Sequence, residues 1–254
     1  VHDGDYRAPD KITLGDYLLE RWLPSKRTRV KPSTSDAYER NIKLHINPHI
    51  GRIPLQKLQP GDLDELYVLL LTSGKRNGAG GGLAPKTVRN VHATIQSALT
   101  DATRKGTVIR NVADLADPPS ISRSGRSMSV WTGDELRVFL AAMADHDLYP
   151  IYFLAATTGM RRGELAGLPW RNVDLDAARL TVNQQIVSVG YQLIEDDLKT
   201  ESSRHTIDLD ERTVAELRRH RRHQLEQRMA TGRRGDDTYV FAKPDGSPVH
   251  PDLI

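Results

Sequence analysis

Apolar residues recur every three or four positions along the first half of the chain. Leu14, Tyr17, Leu18 and Trp22 hold helical spacing behind Thr13-Leu14-Gly15-Asp16, a group able to cap a helix running to Leu23. Pro24 should end that helix and open a basic stretch carrying Lys26, Arg27, Arg29 and Lys31. Ser33 or Thr34 then caps a helix towards Ile46, with Tyr38, Ile42 and Ile46 on one face and Pro48 and Gly51 as its breakers. Pro60-Gly61-Asp62 starts another through Leu71. Pro85 occupies the first turn of a long helix to about Lys105, with Val88, Val91, Ile95 and Leu99 inward. A shorter helix is expected near 108–115. Gly74 to Gly82 holds five glycines in nine residues and reads as a mobile loop.

The polar, turn-forming stretch 117–129 carries Arg123 and Arg126 and marks the expected domain boundary, a basic linker able to lie along a DNA backbone. Beyond it, Thr132 and Glu135 form a capping box, and Ile151, Phe153, Leu154 and Ala155 belong to a second helix. After Trp170 the period changes. Leu180-Thr-Val, Ile186-Val, Tyr191-Gln-Leu-Ile and His205-Thr-Ile-Asp-Leu read as short strands, with turns at Gly190 and near Glu201-Ser202-Ser203. A strongly basic helix follows from about Glu211 to Met229.

At 254 residues the chain is long enough for two domains, and its 38% hydrophobic and 27% charged content suits a folded chain. No apolar run could span a bilayer, no signal peptide opens the chain, and zero Cys excludes disulfides, thiolate zinc sites and Cys nucleophiles. A cytoplasmic setting is expected. The net charge of +3 says less than its distribution. Residues 1–118 hold 18 Lys and Arg against 13 Asp and Glu; residues 119–254 hold 18 against 20. A basic first half suggests a nucleic-acid grip, and a solvated charged surface is the alternative.

Two segments carry candidate chemistry. In Thr157-Thr158-Gly159-Met160-Arg161-Arg162-Gly163-Glu164-Leu165, Gly159 permits a tight bend and Arg161 falls near a helix start, where an anion is favoured. Glu164, three residues on, can hold a guanidinium in place. About 35 residues later comes Leu198-Lys199-Thr200-Glu201-Ser202-Ser203-Arg204-His205, a polar turn between strand-like runs. Lys199 at a hairpin tip is a flexible donor able to reach a phosphate or a leaving oxygen.

Together these segments resemble the tyrosine recombinases, the phage-integrase family. Thr158 to Leu165 is similar to the family's first active-site box, and Lys199-Thr200-x-x-Ser203-Arg204 to its β-hairpin. The resemblance implies a mainly α fold with a small antiparallel β-sheet: a lead-in over 1–10, a helical core-binding domain forming part of a DNA clamp over 11–118, a linker over 119–127 and a partial catalytic domain over 128–254. It implies site-specific breaking and rejoining of DNA through a 3′-phosphotyrosine. Arg161 would hold the scissile phosphate, Lys199 would act as general acid, and Glu164 would orient without reacting. Lys26, Arg27, Arg29, Lys31, Arg89, Arg123, Arg126 and Arg204 would meet DNA. No metal or cofactor is implied. The partners would be double-stranded DNA with attachment-type sites and further copies of the protein, forming a tetramer.

The departures are as specific. The family's His-x-x-Arg box and nucleophilic Tyr are expected beyond the region where these residues end. The literal match, His49-Ile50-Gly51-Arg52, precedes Arg161 and is a decoy, and Tyr239, in an apolar run, reads as core. Arg218 to His223 reads as the basic outer face of a helix, His220 and His223 lack a carboxylate partner for a metal, and Asp196-Asp197 reads as solvated. The alternative function is an inert sequence-specific DNA-binding module or regulator.

Overall fold

A computed structural model of the chain describes all residues except 1–10, 76–79, 122–128, 191, 198–203 and 233–237. The chain divides into two compact units, Val1–Arg126 and Ser127–Ile254.

The first unit is helical. Thr13 accepts the Asp16 N–H and opens a helix that runs past Pro24 to Arg27, through Leu14–Asp16, Tyr17–Trp22 and Leu23–Arg27. A second run likewise passes Pro48, through Pro32–Asn41, Ile42–Ile46 and Asn47–Ile50. Both prolines were expected to be breakers, and the correction has one physical reason. A helical proline lacks an N–H, and its ring strikes the carbonyl four residues back, at about 3 kcal/mol. Here each proline follows a widened turn with bonds reaching five residues back: Leu23 N–H to the Leu18 carbonyl, and Asn47 N–H to the Ile42 carbonyl. That shift of register carries the chain past the ring. Nor does Ser33 or Thr34 cap the second run; Lys31 stands at the cap position, with Pro32 in the first turn.

Pro60–Ser73 opens with a reciprocal box between Gln59 and Asp62, and Pro85–Arg104 buries Val88, Val91, Ile95 and Leu99 as their spacing predicts. Of the glycine-rich stretch, 76–79 lie outside the described residues. Its flanks are tied down, with Gly74 and Leu83 N–H both on the Leu70 carbonyl and Lys75 N–H on Gly81. The helix expected near 108–115 is a single tight turn, Val112–Leu115. Leu14, Leu18, Trp22, Ile42, Ile46, Leu63, Leu70 and the long helix form one core.

In the second unit Thr132 and Glu135 make the expected capping box for Gly133–Ala142. Tyr149–Thr158 buries Ile151, Phe153 and Leu154. Strands β1 (Val173–Asp174), β2 (Arg179–Val182) and β5 (His205–Asp208) form an antiparallel sheet in the order β1-β2-β5. Strands β3 (Gln184–Val189) and β4 (Gln192–Asp197) form a separate hairpin around Gly190. Leu180 and Val182 point inward from β2 while Arg179 is exposed, the two-residue alternation of a half-buried sheet. Asp210 caps the basic helix Glu211–Ala230. The fold is mainly α with small antiparallel sheets, and among the described residues no helix is long and apolar enough to cross a membrane.

Candidate active site

Helix Tyr149–Thr158 ends because Gly159 turns left-handed, φ 67°, a conformation that costs a Cβ-bearing residue about 1 kcal/mol or more. The chain then extends through Arg161, the cap residue of the short helix Arg162–Ala166. Glu164 reaches back with both carboxylate oxygens. Oε2 accepts the Arg161 backbone N–H at 2.8 Å, and Oε1 accepts the Arg161 guanidinium at 2.7 Å. The Glu164 side chain is 3% exposed and that of Arg161 is 75% exposed. A buried carboxylate thus holds the root of a guanidinium whose other donors face solvent. Five residues make a weak macrodipole, so attraction for an anion rests on the guanidinium and not, as the sequence suggested, on the helix end.

The short helix sits on β3 at close range. A Cβ on Gly163 would lie 2.8 Å from the Ile186 carbonyl oxygen, and one on Gly167 would lie 2.8 Å from the Ile186 nitrogen. Arg162 turns away, towards the Pro251 carbonyl and Asp252 at 3.5 and 3.4 Å.

Lys199 lies outside the described residues, as do Arg123 and Arg126. The strands flanking Lys199 are not partners of each other: β4 pairs with β3, and β5 with β2. The reading of Lys199 as a hairpin tip falls on residues 198–203 and so lies outside the described residues. Arg204 is exposed just before β5.

The basic stretch of the first unit splits by role. The Lys26 ammonium lies 2.8 Å from Asp101, which also accepts the Trp22 indole N–H at 2.9 Å and Arg104 at 2.8 Å. Burial alone would raise the Asp101 pKa, but the bonds from Lys26 and Trp22 outweigh it and hold the carboxyl below its usual range. Arg27 is paired with Glu39 at 2.5 Å. Arg29 is exposed, Lys31 is half-buried, and the exposed Arg89 reaches the Pro119 carbonyl at 3.4 Å. The Asp101 network escaped the sequence reading, although an Asp in the apolar stripe with Ile95, Ala98 and Ala102 was its signal.

His49 and Arg52 are exposed in the first unit. Tyr239 is buried, bridged to Pro169 and bonded through its hydroxyl to Glu195; burial first, and then that carboxylate, push its pKa up to about 12. The stretch 218–223 is not uniformly an outer face. His220 turns inward, its Nε2 2.7 Å from the Val240 carbonyl, and His223 bonds to Gln227 instead. Asp196 is engaged by Gln185 at 3.1 Å and so is not simply solvated.

Comparison with known proteins agrees with this architecture. Residues 13–69 match the family described as phage integrase, N-terminal SAM-like domain. The chain is 24% identical over 237 residues to a "Tyrosine recombinase XerC-like" protein of Caldanaerobacter subterraneus subsp. tengcongensis, covering 87% of this chain and 58% of that protein. It is 24% identical to the ICEBs1 integrase of Bacillus subtilis, covering 93% and 62%. The chain thus spans about three fifths of the length of these curated relatives. Among solved structures, the Tn1549 transposon integrase in complex with a circular intermediate DNA superposes with a TM-score of 0.72 at 19% identity, covering 94% of this chain and 74% of that one. A lambda integrase dimer bound to a COC' core site gives 0.65 at 17% identity, covering 98% and 65%.

Proposed function

We propose that this chain, which has the fold of the tyrosine recombinases and relatives bearing that name, binds duplex DNA and contributes part of the site that breaks and rejoins it in site-specific recombination. The observation that carries this reading is the Arg161–Glu164 unit. An exposed guanidinium is rooted by a buried carboxylate, so it stands preorganised where charge develops on a phosphate's non-bridging oxygens. Lys199, between β4 and β5, is proposed as the acid that protonates the leaving 5′-oxygen, and Glu164 as the residue that orients Arg161. In the reaction a Tyr hydroxyl attacks the phosphorus, the 5′-oxygen leaves with a proton, and the 3′-phosphotyrosine is reversed by a 5′-hydroxyl of the partner strand.

The units 1–118 and 128–254 are proposed to meet the backbone of attachment-type duplex DNA through Arg29, Lys31, Arg89 and Arg204, and the linker between them through Arg123 and Arg126. Copies are proposed to gather on it as a tetramer. Lys26 and Arg27 contribute less, because Asp101 and Glu39 already hold them. The setting is proposed to be the cytoplasm of a bacterial host.

Two experiments test the reading. In the full-length gene product, Arg161→Ala should slow strand cleavage about 100- to 1000-fold while DNA binding persists; normal cleavage refutes the assignment. The 254-residue polypeptide alone should bind a nicked target duplex without linking to it. None of its tyrosines follows a His-x-x-Arg box placed after Arg161, and without a positioned nucleophile the bond-breaking barrier stays. A covalent protein–DNA band on a denaturing gel, from a chain verified to end at Ile254, overturns that expectation. A full-length protein that binds its site but never cleaves would favour the inert binding module.

A further inference from the structure

A cavity of about 390 Å³ opens between the Trp170 turn and the helix Glu211–Ala230, lined by Trp170, Arg171, Arg221, Gln224, Leu225 and Arg228. Arg221, Gln224, Leu225 and Arg228 fall at i, i+3, i+4 and i+7, so one helical face supplies four of these side chains. Trp170 and Gln224 are buried and locked together. The Trp170 indole N–H donates to Gln224 Oε1 at 2.8 Å, and the Gln224 amide donates to the Tyr239 and Val240 carbonyls at 3.2 and 3.3 Å. The Arg221 guanidinium lies 5.0 Å from the centre of the Trp170 ring, and Arg171 donates to the Gln184 side-chain oxygen at 2.9 Å.

The charge pattern is the informative part. Earlier on the same helix, Arg218 is matched by Asp176 and Arg219 by Glu216, both at 2.7 Å. Among the described residues Arg171 and Arg221 make no ion pair; their partners are a neutral amide and a π face. Two guanidinium groups, those of Arg171 and Arg221, therefore line one opening to which no described carboxylate contributes. Like charges held around a cavity repel, and an anion between them relieves that repulsion while accepting charge-assisted hydrogen bonds. Donors drawn from two separate elements suit a tetrahedral oxyanion better than a planar carboxylate, which one guanidinium fork can satisfy alone.

We propose that this cleft binds a phosphate group through Arg171 and Arg221 over the Trp170–Gln224 floor. It shares no residue with the Arg161 site and does not depend on the strand-cutting reading. The phosphate is supplied either by a nucleic-acid backbone or by a free polyphosphate, and both present the same oxyanion.

The test follows the indole N–H resonances of the 254-residue chain by NMR, assigned through their bonded connectivity, at fixed ionic strength. Inorganic pyrophosphate should shift the Trp170 resonance saturably and leave those of Trp22 and Trp131 in place; chloride should do neither. In the double variant R171Q/R221Q, made at two exposed positions, the affinity should fall by about tenfold or more. A short duplex of arbitrary sequence is titrated separately. If it moves the same resonance, the backbone of nucleic acid is the source; if pyrophosphate alone moves it, the source is a free phosphate. Absence of a Trp170 shift with both ligands, or an unchanged affinity in the double variant, overturns the proposal.

Discussion

Replacing Glu164 with Gln keeps the shape of the side chain and removes its charge, which makes it the sharpest probe of the Arg161 unit. Gln has one acceptor oxygen where Glu has two, so its amide must face either the Arg161 backbone N–H or the guanidinium, donor against donor. The backbone bond is part of a reciprocal helix cap, worth about 1 kcal/mol and more when buried. The side-chain bond ends on a guanidinium that is 75% exposed, so solvent screening limits it to about 0.5–1 kcal/mol. The expected loss is about 2 kcal/mol in all, larger than a surface substitution gives. Urea unfolding of E164Q, R161Q and the double variant measures both parts. The cycle should assign less than about 1 kcal/mol to the side-chain pair and leave the remainder in E164Q alone. A stability loss below about 0.5 kcal/mol, or a cycle placing the whole loss in the pair, refutes the claim that Glu164 is first a cap and second an anchor. In the full-length protein the same substitution should slow cleavage more than it weakens DNA binding, since it loosens the guanidinium without removing it.

Other expectations follow from the same geometry. Gly163→Ala and Gly167→Ala should each cost about 1–3 kcal/mol in urea unfolding, because the new methyl meets β3 backbone that cannot retreat like a flexible side chain; wild-type stability in both would contradict the close seat on β3. Asp101→Asn should destabilise the first unit by about 2–3 kcal/mol, read as an earlier denaturant midpoint, since it weakens the carboxylate shared by Lys26, Trp22 and Arg104. In salt titrations of DNA affinity, Arg29→Ala should reduce the log–log slope by about 0.9 and Lys26→Ala by much less; equal reductions would show that Asp101 does not hold Lys26 back. The His92 pKa is lowered, by burial first and then by Arg89, with Asp114 opposing. A base whose folded pKa lies below its unfolded 6.5 stabilises the fold above that pH, and the contribution is lost as pH falls towards the folded value. Stability of the first unit measured from pH 7 downward should show this fall, and it should flatten in His92→Gln.

Where one residue's neighbours in sequence are also its partners in space, the chain was readable. The Thr132–Glu135 box, the start of Pro60–Ser73 and the buried stripe from Val88 to Leu99 all follow local rules. So does the Arg161–Glu164 pairing, three residues apart. What escaped depends on distant contacts or on context. Pro24 and Pro48 read as breakers because the widened turns before them have no compositional mark. The pairing of β5 with β2, across the β3–β4 hairpin, is a matter of topology that alternation cannot encode. His220 sits within a run of arginines, and its inward direction rests on distant partners, the Val240 carbonyl and the Trp170 and Phe241 rings packed beside it.

The bond from the Trp22 indole to Asp101 joins residues 79 positions apart and has a consequence for the order in which the protein is made. During synthesis the first helical run emerges early, yet its tryptophan finds its carboxylate only after the far end of Pro85–Arg104 has left the ribosome. Until then an amphipathic segment with Leu14, Leu18, Trp22 and Leu23 waits without the surface it will cover. The first unit should therefore gain protease resistance in a single late step, once residues past Arg104 are free. A nascent chain halted shortly before Asp101 should remain a substrate for hydrophobic-binding chaperones, while one halted well beyond Arg126 should not.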